Sequence, residues 1–502
     1  MTHHWPWLSA IILLPLLGSG AALAAARRPA LCRGLTLGVA LAELALVASL
    51  FCLGLKPQAG PAGTWLLAED YPWIERLGAR LSLGLDGVSL MLILLTAFLI
   101  VLSVLISWRA INARVGSFHF FLLFMEASIM GVFLATDLFL FYLFWEIQLI
   151  PMFFLVGVWG HEKRVHAAVK FLLFTLGGSL FMLLALIGLY WLHGTQTGVY
   201  TFSLYHLVST PVTGSLQVWL FAAFLLAFAI KIPVIPVHTW LPDTHTEAPT
   251  AGSVILAGLL LKTGAYALLR FAFPLFPEAA RSAVPLLLVL GLAGAFYAAW
   301  IALAQTDLKR LVAYSSIGHM GYIVIGLAIG NLLTMSGALL QMVNHGLSTG
   351  ALFILVGMLD ERLNSRQLSD MGGLWGRMPV FSAFFLLFAL SSLGLPGLNN
   401  FVGEMLILLG TFKARPLVAI LGFAGLVFTV IYILRMVQEA LFGEARKEQE
   451  VWDLTPREMV ILGALAAAIL FIGLHPGPVL KVLEPAVQGL VSQDAQVALI
   501  GW

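Results

Sequence analysis

Apolar runs of about twenty residues or more recur along the whole chain, separated by short polar links. They fall near 5–26, 31–55, 84–107, 116–136, 137–159, 165–193, 216–241, 248–273, 283–304, 309–329, 334–359, 378–412, 417–442 and 457–475. A helix of that length and character crosses the hydrocarbon core of a bilayer. The pattern therefore predicts an all-α polytopic membrane protein with about fourteen transmembrane helices.

Two of these runs are interrupted. In LAFAIKIPVIPVHTWLPDTHTEAPTAGSVILAGLLLKTGAY, Pro233 and Pro236 follow Lys231 near the end of one span, and Lys262 sits deep in the next. Proline removes a backbone donor and breaks the helical ladder. A membrane accommodates the loosened backbone only where protein or water satisfies it, so Lys231 is expected to face an internal polar space. The run 378–412 is too long for one straight span and contains SSLGLPGLNN, which should break it, with Glu404 just beyond. Interrupted helices at matching places in two halves are the pattern of inverted-repeat transporters. Five spans per half give repeats at 116–273 and 283–442, each with its broken helix fourth, preceded by three helices in 1–115 and followed by a loop and a last helix in 443–502.

Composition agrees with this picture: of 502 residues, 60% are hydrophobic and 10% charged, leaving little for a soluble domain. A net charge of +2 with no basic block gives no reason to expect nucleic acid as a partner; the bilayer is the surrounding. Lys and Arg are concentrated in the links after odd-numbered spans, among them Arg27, Arg28, Arg109, Arg114, Lys163, Arg164, Lys309, Arg310, Arg362 and Arg366. Those links are expected to be cytoplasmic, which puts both termini on the other side. The apolar N-terminus has its arginines after the run rather than before it, so a retained helix is expected instead of a signal peptide. Cys32 and Cys52 lie about 30 Å apart if one helix carries both, beyond the reach of a disulfide, and read as packing residues.

Ionisable side chains at membrane depth are expensive and mark candidate sites. Glu146 stands alone in FLFYLFWEIQLIPMFFLVGVWG; Lys231, Lys262, His319, His345 and Glu404 are similarly placed. A plain buried ion pair is the alternative for Glu146, but such pairs seldom add stability. His319 and His345 each lie among small polar residues, and they read equally as packing residues hydrogen-bonded to a carbonyl or as proton carriers. Glu126 is a secondary candidate. Lys170 and Arg270 lie near span ends, where long side chains snorkel, and Asp137 is placed to cap the span that follows it. The mixture of acids, lysines and histidines suits a lateral proton relay from Glu146 and Lys231 through Lys262 and the histidines to Glu404. No phosphate-binding loop, dinucleotide fingerprint, CxxC or HExxH occurs, and two cysteines are too few for an iron–sulfur cluster. No metal or cofactor is expected in this chain.

The runs FWEIQLIPMFFLVGVWG, KIPVIPVHTWLPDTHTEAPTAGSVILAGLLLKTGAY, QTDLKRLVAYSSIGHMGY, GLPGLNNFVGE and LLQMVNHGLSTGALFILVGMLDER resemble the antiporter-like membrane subunits of respiratory complex I, the NADH:quinone oxidoreductase. The likeness extends from about residue 137 to 404 and is closest to the M type (chain 4-like), because Glu404 stands where sister subunits have a lysine. The resemblance implies fourteen spans with two inverted five-helix repeats. It also implies that Glu146 and Lys231 form the channel's acid–lysine pair, that Lys262 is the central lysine, that His319 and His345 bridge, and that Glu404 is the terminal acid. Quinone, flavin and iron–sulfur centres would then belong to partner subunits. The partners would be sister antiporter-like subunits and small membrane subunits in an energy-transducing membrane, the bacterial inner membrane. The alternative within the same resemblance is a subunit of a multisubunit Na⁺/H⁺ antiporter; a purely structural membrane spacer does not account for the row of buried charges.

Overall fold

The computed structural model describes residues 5–56, 58–60, 63–445 and 451–498. Among them, thirteen helices are long and apolar enough to cross a membrane, from Trp7–Ala24 to Pro456–Leu474. A further crossing is divided between Pro379–Leu393 and Asn399–Ala414, so the all-α polytopic architecture read from hydropathy is the one observed.

Burial separates inner from outer helices. In Thr250–Leu275 and Leu332–Leu363 the most apolar stretch is 100% buried, against 33% in Pro416–Leu441 and 28% in Pro29–Cys52. A helix enclosed by other helices can hold charged groups away from lipid, and these two enclosed helices carry Lys262 and His345.

The first break follows the prolines. Helix Gly214–Lys231 stops at Lys231, and Trp240–Glu247 begins a second short helix. With no N–H at Pro233, Val234 N donates instead to Ala229 O at 2.8 Å. The indole of Trp240 donates to Ile230 O at 2.9 Å, which satisfies a carbonyl that the break leaves over. The second break is made by Gly394 (φ +81°) and Gly397 (φ +92°) flanking Pro396. Both glycines occupy the left-handed region that costs other residues energy.

Three features were not foreseen. The connection 56–83 contains an antiparallel hairpin, Leu67–Ile74 against Ala79–Leu85, and Glu69 from it accepts hydrogen bonds from Leu8 N (2.7 Å) and Ser9 N (3.0 Å) at the start of the first helix. The span carrying Glu146 is interrupted at Gln148, between Leu138–Ile147 and Leu149–Trp159, where Pro151 has no N–H for the carbonyl four residues back. A last helix, Gly477–Ala498, follows the final apolar one.

Candidate functional site

The enclosed helix Thr250–Leu275 is not uniformly α-helical: Leu256–Leu260 and Leu268–Ala272 are π-helical, one before and one after Lys262. Such bulges redirect side chains and loosen carbonyls, and they recur at functional sites. Lys262 Nζ donates to Ala257 O inside the first bulge. It also lies 2.6 Å from Nδ1 of His345 on Leu332–Leu363.

From His345 the line continues sideways. The rings of His345 and His319 are 5.6 Å apart between centroids. His319, on Leu308–Ile329, has Nδ1 2.8 Å from Glu404 Oε1 and Nε2 3.3 Å from Ser392 Oγ. Gln341 Nε2 donates to the same Glu404 oxygen at 3.1 Å. Lys262, His345, His319 and Glu404 are all at most 2% exposed.

Glycines let the helices approach closely enough for these contacts. A side chain at Gly403 would meet Gln341 Oε1 at 2.3 Å, and one at Gly337 would meet Ile407 N at 2.8 Å. The second break is tied to Leu332–Leu363 by a reciprocal pair: Asn344 Nδ2 donates to Asn399 O at 2.7 Å and Asn399 Nδ2 to Asn344 O at 3.1 Å. Ser391 Oγ donates to Asn399 Oδ1 at 2.6 Å across the break itself. These bonds tie the break to the enclosed helix and pair polar side chains that could not be left open in a membrane.

Glu146 and Lys231 form a separate station. Lys231 is 1% exposed, with Nζ 5.0 Å from the centroid of the Trp145 ring and 5.9 Å from that of Phe171. Nζ has no hydrogen-bond partner among the described residues. Its charge acts on Glu146, whose carboxylate also has Ser179 and Tyr142 beside it. The structure therefore joins Lys262 to His345 and His319 to Glu404 directly, and leaves Glu146 and Lys231 coupled through space without a hydrogen bond.

The secondary residues divide. Asp137 caps Leu138–Ile147, accepting from Phe139 N and Leu140 N at 3.0 Å each. Burial pushes its carboxyl up to about 6 against these bonds and that of Arg80 N. Glu126 is fully buried, has no hydrogen-bond partner among the described residues, and faces Glu43 on Pro29–Cys52. Lys170 and Arg270 each pair with an acid from another segment. Lys170 Nζ lies 2.6 Å from Asp243 Oδ2, which neutralises it in place. Arg270 pairs with Asp86 and hydrogen-bonds Tyr266 Oη at 3.3 Å, so it is held inside. Of the cysteines, one helix carries both, with Cys32 buried and Cys52 exposed, so only the first packs.

Several buried titratable groups, Glu43, His119, His245 and Lys309 among them, are not singled out by the sequence. His245, in the short helix Trp240–Glu247, is 0% exposed with both ring nitrogens unpartnered among the described residues. Lys309 was read as a loop cation, but it lies in the first turn of Leu308–Ile329, 3% exposed, donating to Ala248 O. For His245 the available signal is its place just after a break, since backbone that cannot face lipid brings its side chains inside with it.

A buried file of titratable groups crossing between helices, in a bundle with two broken helices, is the layout of an ion-translocating membrane subunit. Residues 135–431 match the family described as NADH:quinone oxidoreductase/Mrp antiporter, TM. The chain is 47% identical over 442 residues to the NADH-quinone oxidoreductase subunit M of Pseudomonas aeruginosa, covering 87% of each chain. Among solved structures, it superposes on a chain of respiratory complex I from Thermus thermophilus with a TM-score of 0.87 at 34% identity, covering 97% of this chain and 99% of that one. A chain of the Mrp complex from Dietzia sp. gives 0.82 at 25% identity, covering 97% of this chain and 52% of the other. The chain belongs to the NADH:quinone oxidoreductase/Mrp antiporter transmembrane family.

Proposed function

We propose that this chain is the M-type proton-translocating membrane subunit of an NADH, or related donor, to quinone oxidoreductase. In this reading Glu146 and Lys231 load the proton, Lys262 and the two histidines carry it, and Glu404 is the terminal acid. The carrying observation is the buried line Lys262–His345–His319–Glu404, with contacts of 2.6 Å and 2.8 Å at its ends. An amine, two imidazoles and a carboxylate can each gain and lose a proton, and an enclosed site makes each sensitive to its neighbours' charge.

Within the same proposal, 116–273 and 283–442 are inverted five-helix repeats, flanked by 1–115 and 443–502. The two broken helices occupy the fourth place in each, which supports that division. The subunit carries no redox centre of its own, so flavin, iron–sulfur and quinone chemistry belong to its partners, the sister antiporter-like subunits and small membrane subunits. Its place is a bacterial inner membrane with both termini on the non-cytoplasmic side, as the lysine and arginine distribution supports. The rival, a subunit of an Na⁺/H⁺ antiporter, has the lower identity of the structural relatives and only half of that relative's length.

The decisive test is Glu146→Gln in an assembled, reconstituted complex. Proton pumping coupled to quinone reduction should be largely lost while assembly is retained; pumping near the native level sinks the proposal. Glu146→Asp should keep part of the activity, because charge matters more than length.

A further inference from the structure

Lys262 sits in Leu261–Ala267, a seven-residue length of α-helix between two π-helical stretches. A π-bulge is a widened turn whose carbonyls have more than one N–H within reach. Re-pairing them would carry the bulge along the chain and turn each residue it passes by about 100°, the angle per residue of an α-helix. The contact of Lys262 Nζ with His345 Nδ1 therefore depends on both bulges staying in place.

The lysine itself holds the first bulge, through Ala257 O. A closed ring of side chains holds the second. Asp86 Oδ1 accepts from Ser89 N at 2.8 Å, capping Gly87–Ala110. Ser89 Oγ lies 3.0 Å from Tyr266 Oη, which receives Arg270 Nε at 3.3 Å, and Arg270 Nη2 returns to Asp86 Oδ2. Tyr266 Oη gives its one hydrogen to Phe133 O, 2.9 Å away on Val115–Leu134. The Ser89 hydroxyl is thus the donor to Tyr266, and the phenol oxygen is fully used. All four side chains are buried.

Tyr266 lies one turn beyond Lys262, about 6 Å along the axis, and Arg270 lies inside the second bulge. The Tyr266–Arg270 bond spans the start of that bulge and joins both sides of it to the cap of Gly87–Ala110. From the outer connection, the centroid of the Trp65 ring is 5.0 Å from the Arg270 guanidinium carbon. The other face of the segment is closely packed: a β-carbon at Gly264 would meet Ile232 N and Lys231 Cβ, each at 3.1 Å. A turn of one residue would put Thr263 or Ala265 against the break beside Lys231. A buried tyrosine that only packs is satisfied by one hydrogen bond; Tyr266 makes three, to two other helices and across the bulge.

We propose that the Asp86–Ser89–Tyr266–Arg270 ring positions Lys262: it pins the second π-bulge, and with it the rotation of Leu261–Ala267 that presents Nζ to His345. Its effect on pumping rests on the relay reading given above, whereas the pinning does not. Tyr266 and Arg270 are positioning residues and carry no proton in this scheme.

The test makes two measurements on the whole complex: amide hydrogen exchange over 261–272, and membrane potential per quinone reduced in proteoliposomes across a range of pH. Tyr266→Phe removes the hydroxyl but keeps the ring that meets Phe133 edge-on, with centroids 5.2 Å apart. Exchange should quicken about tenfold, as the loss of buried hydrogen bonds eases local opening. The potential should fall by about tenfold to a hundredfold, the scale for a reacting group displaced by about 1 Å. Its pH profile should shift, because Nζ turned away from His345 exchanges its proton beside different neighbours. Phe133→Leu loosens the same packing but leaves the carbonyl of residue 133 and the ring of bonds, so it should lower the melting temperature without moving the profile. Arg270→Lys keeps the charge but loses the fork that reaches both Asp86 and Tyr266, and should fall between native and Tyr266→Phe. If Tyr266→Phe does not assemble, Ser89→Ala opens the ring at one bond and should show the same effects in smaller measure. Native exchange in the variant overturns the pin. Faster exchange with a native pH profile, or the same profile shift in Phe133→Leu, makes the ring a structural brace and overturns its positioning of Lys262. Glu146→Gln run in parallel separates the failures: if it pumps normally the relay reading falls, while exchange still decides the pin.

Discussion

Glu404 Oε1 lies 2.8 Å from His319 Nδ1, across 85 residues of sequence, and the same oxygen receives Gln341 Nε2. One acid is thereby held between two helices by a group that titrates and a group that does not. In the proposed relay, Gln341 fixes the carboxylate in position and His319 is the group that exchanges a proton with it. On that proposal the position requires a titratable group rather than a particular charge. Glu404→Ala should lose most pumping in reconstituted complex, whereas Glu404→Lys should keep a measurable part. Near-native pumping by the alanine variant removes Glu404 from the relay.

Lys262 is bound by both a π-bulge carbonyl and His345 Nδ1. Arginine in its place retains charge at any accessible pH but does not pass a proton on. Lys262→Arg should therefore be nearly as inactive as Lys262→Ala in potential generation, while the complex still assembles. An arginine form that pumps like the native protein makes Lys262 an electrostatic fixture.

Lys231 offers a contrast, since its Nζ lies 5.0 Å from the Trp145 ring centroid and no hydrogen bond holds it among the described residues. A cation over an indole face gains roughly 0.5–2 kcal/mol, enough to bias the ammonium without trapping it. Lys231→Ala should abolish pumping and Lys231→Arg should rescue it poorly. Trp145→Leu should slow it by a smaller factor, with the quinone-reduction rate of uncoupled complex unchanged; a Trp145→Leu form indistinguishable from native leaves the ring as packing only.

Much of this arrangement was legible because membrane burial is unforgiving. Apolar length gave the spans, and each of Glu146, Lys231, Lys262, His319, His345 and Glu404 stood out as a polar residue that lipid does not tolerate. Prolines and glycines announced both breaks. What the sequence did not reveal depends on distant partners. Lys170 and Arg270 looked like snorkelling residues because Asp243 and Asp86, which neutralise them, come from other segments. His245 does not stand out because hydropathy averages over a window, and a short buried helix after a break does not raise that average; Lys309 is the second residue of its helix, where a lysine looks like a link cation. The 67–85 hairpin alternates too weakly to signal itself: its first strand is mostly exposed.

Gly394 bears on the second break directly. Its φ of +81° lies in the left-handed region, and a β-carbon there would come within 2.9 Å of Glu404 Oε2. Gly394→Ala should thus cost about 1 kcal/mol in backbone strain and also push the carboxylate out of line. Pumping should fall more than thermal stability does. Equal, small effects on both would mean that the carboxylate moves aside freely.

The Arg362–Glu458 pair separates stability from transport. Arg362 Nη2 lies 2.8 Å from Glu458 Oε2, its Nε donates to Trp452 O at 2.9 Å, and its guanidinium lies 5.3 Å from the centroid of the Trp452 ring. Glu458 in turn accepts from Thr455 N and Oγ1, at 2.8 Å and 2.9 Å, closing the start of Pro456–Leu474. The pair clamps the end of the enclosed helix Leu332–Leu363 to the last apolar span, and among the described residues its hydrogen-bond partners include none of the proposed relay. Removing one partner of a buried ion pair leaves the other charged and uncompensated, at roughly 3–5 kcal/mol. Arg362→Ala should therefore lower the melting temperature and the yield of assembled complex, while each assembled complex pumps as the native one does. Replacing both, as Arg362→Met with Glu458→Leu, removes the stranded charge and should recover much of that stability, although the Thr455 cap is still lost. If Arg362→Ala assembles normally and yet pumps poorly, the clamp transmits to the relay along Leu332–Leu363, and its role is not confined to stability.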